Sequence, residues 1–227
     1  VTRTIDPRPG LLRQLIWHLT GRRPGGERHR QAIGGDWEQI GTLQFDFMVS
    51  HGLKPWHYLL DIGCGPLRGG VRFIRYLEPG HYYGFDKEPS LIEAGQHREL
   101  ELRDLIDRQP RLSVTADFDL SWIPPAVTFD FMLAQSVFTH LPPHLVELCL
   151  ARVMPRLSCS GVFYATFKKA DRLDLGRPHS WRPLERDRVK YPPALLEEMA
   201  TRAGATVEHI GEWSHPGQSR MLAFRRR

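Results

Sequence analysis

Tyr58-Leu-Leu-Asp-Ile-Gly-Cys-Gly-Pro-Leu-Arg-Gly-Gly70 is the stretch whose reading decides the fold. Tyr58 to Ile62 is short and mostly apolar, the pattern of a strand buried on both faces of a sheet. Gly63 and Gly65 follow, and without a Cβ each lets the backbone turn tightly and approach a ligand. From Arg68 the apolar positions Val71, Phe73, Ile74 and Leu77 read as a helix, stopped by Pro79-Gly80. Strand, glycine turn and helix in that order leave free backbone N–H groups at the carboxyl end of the strand. A second strand, His81 to Phe85, ends on Asp86, 21 residues after Gly65. A ribose-binding carboxylate falls at about that distance in a nucleotide-binding βαβ unit.

The dehydrogenase form of the glycine motif fits poorly, because Arg68 stands where G-x-G-x-x-G requires its third glycine. Leu-Asp61-Ile-Gly-Cys-Gly65 followed by Tyr-Gly-Phe-Asp86 instead resembles motifs I and II of the class I S-adenosylmethionine-dependent methyltransferases. That resemblance implies S-adenosyl-L-methionine as cofactor and S-adenosyl-L-homocysteine as product. It places Asp61 near the methionine ammonium, Gly63, Cys64 and Gly65 beneath the cofactor, and Asp86 with its neighbour Lys87 at the ribose. One departure is Pro66-Leu67 in place of the family's Thr-Gly, which implies a stiffer turn and a contact from Arg68 to the cofactor carboxylate. The pair Asp117-Phe118 resembles the family's motif III, where an Asp accepts from the adenine amino group and an apolar neighbour lies against the ring. Gln135 and Ser136, closing the fourth strand, complete the implied cofactor site.

Composition sets the outer bounds. The 227 residues, 41% hydrophobic and 25% charged, suit one sizeable domain with additions. No apolar run is long enough for a membrane span, and Leu11 to Leu19 holds Arg13, Gln14 and His18 and leads into no signal-peptide cleavage site. Three cysteines without metal-ligand spacing fit a reducing, cytoplasmic setting, and no metal is expected. The net charge of +5 comes with arginine clusters near the N-terminus, between Lys168 and Lys190, and at Arg225–Arg227. Acidic residues are interspersed among them, so a solvated basic surface is favoured over a nucleic-acid track.

Taken in order, residues 1–35 read as an amphipathic helix, Leu11 to Leu19, followed by a flexible basic linker from Gly21 to Gly35. Asp36 is a candidate N-cap for a helix with Trp37, Ile40, Leu43, Phe47 and Met48 on one face. Asp46 and His51 in that helix read as surface positions. Ser90 to Asp107 reads as one helix, Arg111 to Ala116 as the third strand, and Phe129 to Ala134 as the fourth. A helix from Pro142-Pro143 to Met154, a fifth strand from Gly161 to Phe167, and an irregular insertion over 168–193 follow. A helix over Ala194 to Ala203 and two last strands, Thr206 to Ile210 and Met221 to Phe224, close the chain. The resemblance covers about Trp37 to Phe224. It implies an α/β three-layer sandwich around a seven-stranded, mostly parallel sheet with an antiparallel C-terminal hairpin, preceded by N-terminal helices, with residues 36–227 as a single domain.

The acceptor is constrained mainly by what is missing. No Asn-Pro-Pro-Tyr type motif, Pro-Cys pair or metal-binding acid follows the fourth strand; Ala134-Gln-Ser-Val137 stands there. Amino methylation of nucleic acid, thiolate-assisted cytosine methylation and metal-dependent catechol chemistry are therefore disfavoured. Histidine is what remains for removing a hydroxyl proton. His140 lies just past the fourth strand and resembles, loosely, the general base of plant phenolic O-methyltransferases; His144 and His215 are alternatives. The insertion carries eight basic and four acidic residues, and Trp122, Trp181 and Trp213 are candidate faces for a sugar or aromatic ring. The expectation is O-methylation of a small molecule or sugar unit. An RNA or protein methyltransferase using the basic segments, or a cofactor-binding protein without catalysis, are the alternatives, and a nicotinamide dehydrogenase stands last.

Overall fold

The computed structural model describes residues 28–31, 33, 36–179, 182–187 and 189–227, with side chains omitted at Arg28 and over 177–188. The expected helix Leu11 to Leu19 lies outside the described residues, as does Trp181. Within the stretch read as a linker, Arg28–Gln31 forms one helical turn. Asp36–Arg227 forms a compact unit, and all that follows concerns it.

Helix α1 spans Trp37–Ser50 and buries Ile40, Gln44, Phe47 and Met48 on one face. Asp36 does not cap it: its backbone is left-handed at φ 44°, and its side chain makes no capping bond. Strand β1 (Leu59–Ile62), helix α2 (Gly70–Tyr76) and strand β2 (Tyr82–Asp86) form the first βαβ unit. The single helix expected from Ser90 is broken into α3 (Pro89–Ala94), a π-helical turn Gly95–Leu100 and a 3-10 turn Glu101–Arg103. Gly95 presses against Leu67, whose Cγ would lie 3.0 Å from a Cβ there, so the helix passes this point by widening. Strands β3 (Arg111–Val114) and β4 (Phe129–Ala134) follow, then helix α4 (Pro143–Val153) and strand β5 (Leu157–Lys169).

The insertion is not irregular. Arg177–His179 (β6) and Arg182–Asp187 (β7) pair antiparallel, and Lys190–Tyr191 (β8) runs parallel to the end of β5. The Arg and Pro interspersed through these short strands hide them from a reading of apolar period. Helix α5 (Pro193–Arg202) and strands β9 (Ala205–Glu212) and β10 (Arg220–Arg226) complete the unit.

Seven strands follow the order β3-β2-β1-β4-β5-β10-β9, and β8 adds to β5 off this path. The pairs from β3 to β5 are parallel, while β10 is antiparallel to both β5 and β9. Side chains alternate between two cores. Leu60, Ile62, Phe163 and Ala165 pack with Val146, Leu150 and Val153 of α4 and with Leu196 and Met199 of α5. Leu59, Leu133 and Tyr164 pack with Phe47 and Met48 of α1, Phe73 and Ile74 of α2 and Ile92 of α3. Two apolar faces on one sheet require helices on both sides, hence three layers. Among the described residues no helix is long and apolar enough to cross a membrane.

Candidate active site

The strand order runs outward in opposite directions from the β1–β4 pair, so a crevice opens above their carboxyl ends. Asp61 is paired in register with Gly84 on one side and Leu133 on the other, which brings the ends of β1, β2 and β4 together.

The turn after β1 depends on left-handed backbone. Gly63 has φ 66° and Gly65 φ 54°, and Leu67 is held at φ 70° despite its side chain. A Cβ on Gly63 would lie 2.7 Å from Cγ2 of Val137, so the glycine also allows the segment after β4 to close over the turn. The Cys64 N–H donates to the Phe85 carbonyl at 3.0 Å, and the Gly65 N–H to Asp86 Oδ2 at 3.0 Å. The Cys64 side chain is buried among core residues, so it is the backbone of this residue that borders the crevice. Asp86 Oδ1 accepts from the Glu88 N–H at 2.9 Å. A carboxylate offers about four acceptor positions, so two such bonds leave room for two ligand hydroxyls. Burial raises the Asp86 pKa even against its two N–H donors. Lys87 beside it is exposed.

Asp61 is only 4% exposed and accepts from the Tyr82 hydroxyl at 2.7 Å. Burial pushes its pKa up to about 7; the Tyr82 hydroxyl and Arg68 pull the other way, and Asp86 adds to the rise. A buried carboxylate poised there favours a cation beside it, which would stabilise the ionised form. The chemistry of this donor set therefore fits a ligand carrying an ammonium at one end and a pair of vicinal hydroxyls at the other.

Beyond β4 the polar groups converge on Gln135. Its Oε1 accepts from Arg68 Nη2 at 3.2 Å and from Gln44 Nε2 at 3.3 Å. Its Nε2 donates to Ser136 Oγ at 2.8 Å and faces His215 Nε2 at 3.2 Å. Ser136 has φ 58°, and its N–H donates to Thr166 Oγ1 at 2.7 Å, so a fully buried threonine of β5 holds the strained residue in place. Arg68 is itself only 9% exposed, and burial lowers its pKa to about 10, still charged at neutral pH.

His215, in the β9–β10 connection, stacks on Trp213 with ring centroids 5.2 Å apart. The Gly217 N–H donates to its Nδ1 at 3.0 Å. With Nδ1 accepting, the neutral ring carries its proton on Nε2, the nitrogen beside the Gln135 amide. Burial first, then Arg68 and Lys168, lower its pKa, so the ring is neutral at neutral pH.

The other expected residues lie farther out. Asp117 is exposed, and its carboxylate accepts from the Thr115 hydroxyl and the Asp119 N–H, which lower its pKa. Phe118 is buried with its ring 6.3 Å from that of Phe85. His140 is half-buried in the 3-10 turn Phe138–His140, and His144 is exposed in the first turn of α4. Asp46 and His51 are both on the surface. Trp122 donates to the Asp119 carbonyl and packs by Tyr83, and Trp213 is buried against Phe47, so neither offers a free face. Gln44, Tyr82 and Thr166 were not expected as site residues. Gln44 had a signal: it falls four residues after Ile40 and four before Met48, which puts an amide on the apolar face of its helix.

Residues 60–163 match the family model described as a methyltransferase domain. Similar solved structures include magnesium protoporphyrin IX methyltransferase from Synechocystis PCC 6803, at TM-score 0.63 and 16% identity over 100% of each chain. A methyltransferase from Clostridium acetobutylicum ATCC 824 aligns at TM-score 0.64 and 12% identity over 88% of this chain and 96% of its own. Mitomycin 7-O-methyltransferase aligns at TM-score 0.63 and 18% identity, over 93% of this chain and 60% of its own. The crevice, its two carboxylates and this match define a Rossmann-like group-transfer fold. The family match over residues 60–163 and the shared fold together support a class I S-adenosylmethionine-dependent methyltransferase.

Proposed function

We propose that the protein methylates a hydroxyl of a small molecule or sugar unit, with His215 as the general base. The observation carrying this reading is a neutral histidine at the crevice, with one ring nitrogen against Gln135 and the other fixed by the Gly217 N–H. S-adenosyl-L-methionine, when bound, supplies a methyl group on a sulfonium, a reaction that rests chiefly on alignment. Asp61 would hold its ammonium, Asp86 its ribose hydroxyls and Arg68 its carboxylate, with Asp117 and Phe118 at the rim by its adenine. The Nδ1 of His215, the nitrogen that carries the lone pair, takes the hydroxyl proton from the acceptor, exchanging its contact with the Gly217 N–H for one with the incoming oxygen. Gln135, anchored on its other side by Arg68 and Gln44, keeps the imidazole in register with the end of β4. The solved relatives do not choose the acceptor atom. One is an O-methyltransferase by its description, and another is a glycopeptide N-methyltransferase (TM-score 0.60, 12% identity, 82% of this chain and 94% of its own).

The test separates binding from chemistry. His215→Ala should bind S-adenosylhomocysteine like the unaltered protein in calorimetry while methyl transfer falls about 10²- to 10⁴-fold. His140→Ala should leave the rate within a few-fold. The reverse pattern moves the base to His140 and defeats this assignment.

A further inference from the structure

We propose that the methyl acceptor carries an anionic group, a carboxylate or a phosphate, held by Lys169 and Arg220 while its hydroxyl faces His215. This rests on the methyltransferase reading and names the substrate class of that site. A groove of about 700 Å³ leads away from His215, walled by the end of β5, the β9–β10 connection and β8. Four cationic side chains line it (Lys168, Lys169, Lys190 and Arg220) against two acidic ones, Asp171 and Glu212.

Two of those cations already have work within the fold. Lys168 Nζ donates to the Gly217 carbonyl at 2.8 Å, tying the end of β5 to the loop that carries His215. Lys190 Nζ pairs with Asp174 Oδ2 at 3.0 Å. Lys169 and Arg220 have no carboxylate within ion-pair distance among the described residues, although Arg220 lies in register with Glu212 on β9. Both side chains also border a second hollow of about 310 Å³ next to the groove, between β5, β9 and the start of α5. Two unneutralised cations at a concave surface favour an anion there, and guanidinium binds carboxylate or phosphate through parallel hydrogen bonds. The same charge disfavours an ammonium-bearing acceptor. The volume suits a small molecule, whereas a nucleic-acid strand needs a basic path continuing across the surface.

The probe is a deproteinised extract of the source cells, divided by anion exchange and by size, and assayed with labelled S-adenosylmethionine. Label should enter the low-mass, anion-exchange-retained fraction and resist nuclease. Prior phosphatase treatment abolishes it if the anion is a phosphate and spares it if a carboxylate. The double substitution Lys169→Gln with Arg220→Gln should raise the KM for that fraction about 10- to 100-fold, as expected for removing charged partners. Its affinity for S-adenosylhomocysteine should be unchanged, and Lys169→Arg with Arg220→Lys should restore most of the loss. Label in the unretained fraction, label in nuclease-sensitive material, or an unchanged KM in the Gln variant overturns the proposal. Failure of the unaltered protein to bind S-adenosylhomocysteine overturns the methyltransferase reading beneath it.

Discussion

Asp61, buried, and His215, half-buried, are titratable groups whose surroundings set opposite tasks. Asp61 has its pKa raised to about 7, so below that pH the free protein holds it neutral. A ligand ammonium binds best to the ionised form, so cofactor affinity should rise with pH through about 7. It should fall again near pH 8 as the ligand's own α-amino group loses its proton. His215 is shifted the other way, so the rate at saturating cofactor should stay level through neutral pH and drop only below about 6.5. Separate profiles of affinity and of rate check this. Asp61→Asn should abolish the rising limb of the affinity profile while leaving the rate profile's shape unchanged. Gly63 makes a second prediction at this scale. With φ 66° and Val137 2.7 Å from where a Cβ would sit, Gly63→Ala should destabilise the protein by about 1–3 kcal/mol in urea unfolding and remove S-adenosylhomocysteine binding.

Among the elements, the join between β4 and β5 carries the site's strain. Ser136 leaves β4 in a left-handed conformation, and the hydroxyl of Thr166 is the acceptor for its N–H. Thr166→Val keeps the shape but leaves that donor buried without its acceptor, which should cost about 1–3 kcal/mol. Because Gln135 is the preceding residue, the rate should fall with it, as a thermal melt alongside a rate assay would show. This is also where legibility in the sequence divides. β1, β2 and β4 announce themselves as apolar runs, and Gly63-x-Gly65 with Asp86 marks one crevice wall because those residues are close along the chain. The contacts of Gln135 with Gln44, 91 residues away, and with His215, 80 residues away, have no local signature. They depend on where α1 and the β9–β10 connection come to rest on the sheet, which periodicity does not encode. The connection that carries His215 is also beyond any local pattern, whereas His140 stands close after β4 in the sequence. Likewise Ser90 to Asp107 reads as one helix because nothing local reveals Leu67 pressing on Gly95.

For the molecule as a whole, the crevice is bordered by the ends of β1, β2 and β4 and by α1, which come from separate parts of the chain. A ligand that bridges them should stabilise the native state alone. At about 100 times its dissociation constant, S-adenosylhomocysteine should add about 2.7 kcal/mol, a rise of several degrees in the melting midpoint. Asp86→Ala should abolish the rise, since Asp86 pins Gly65 to β2 as well as facing the crevice. Scanning calorimetry with and without the ligand measures both.

The strand order carries a consequence for how this molecule comes into being. β10 follows the other strands of this sheet in chain order, yet it lies between β5 and β9 and not at a sheet edge. During synthesis, then, the glycine turn and both carboxylates are complete while β5 still waits for its inner neighbour and the histidine loop has nothing to anchor its far side. A nascent or clipped product lacking Arg220–Arg226 would expose two unpaired strand borders at once. The loop that carries His215 gains its second anchor only when β10 has entered between β5 and β9.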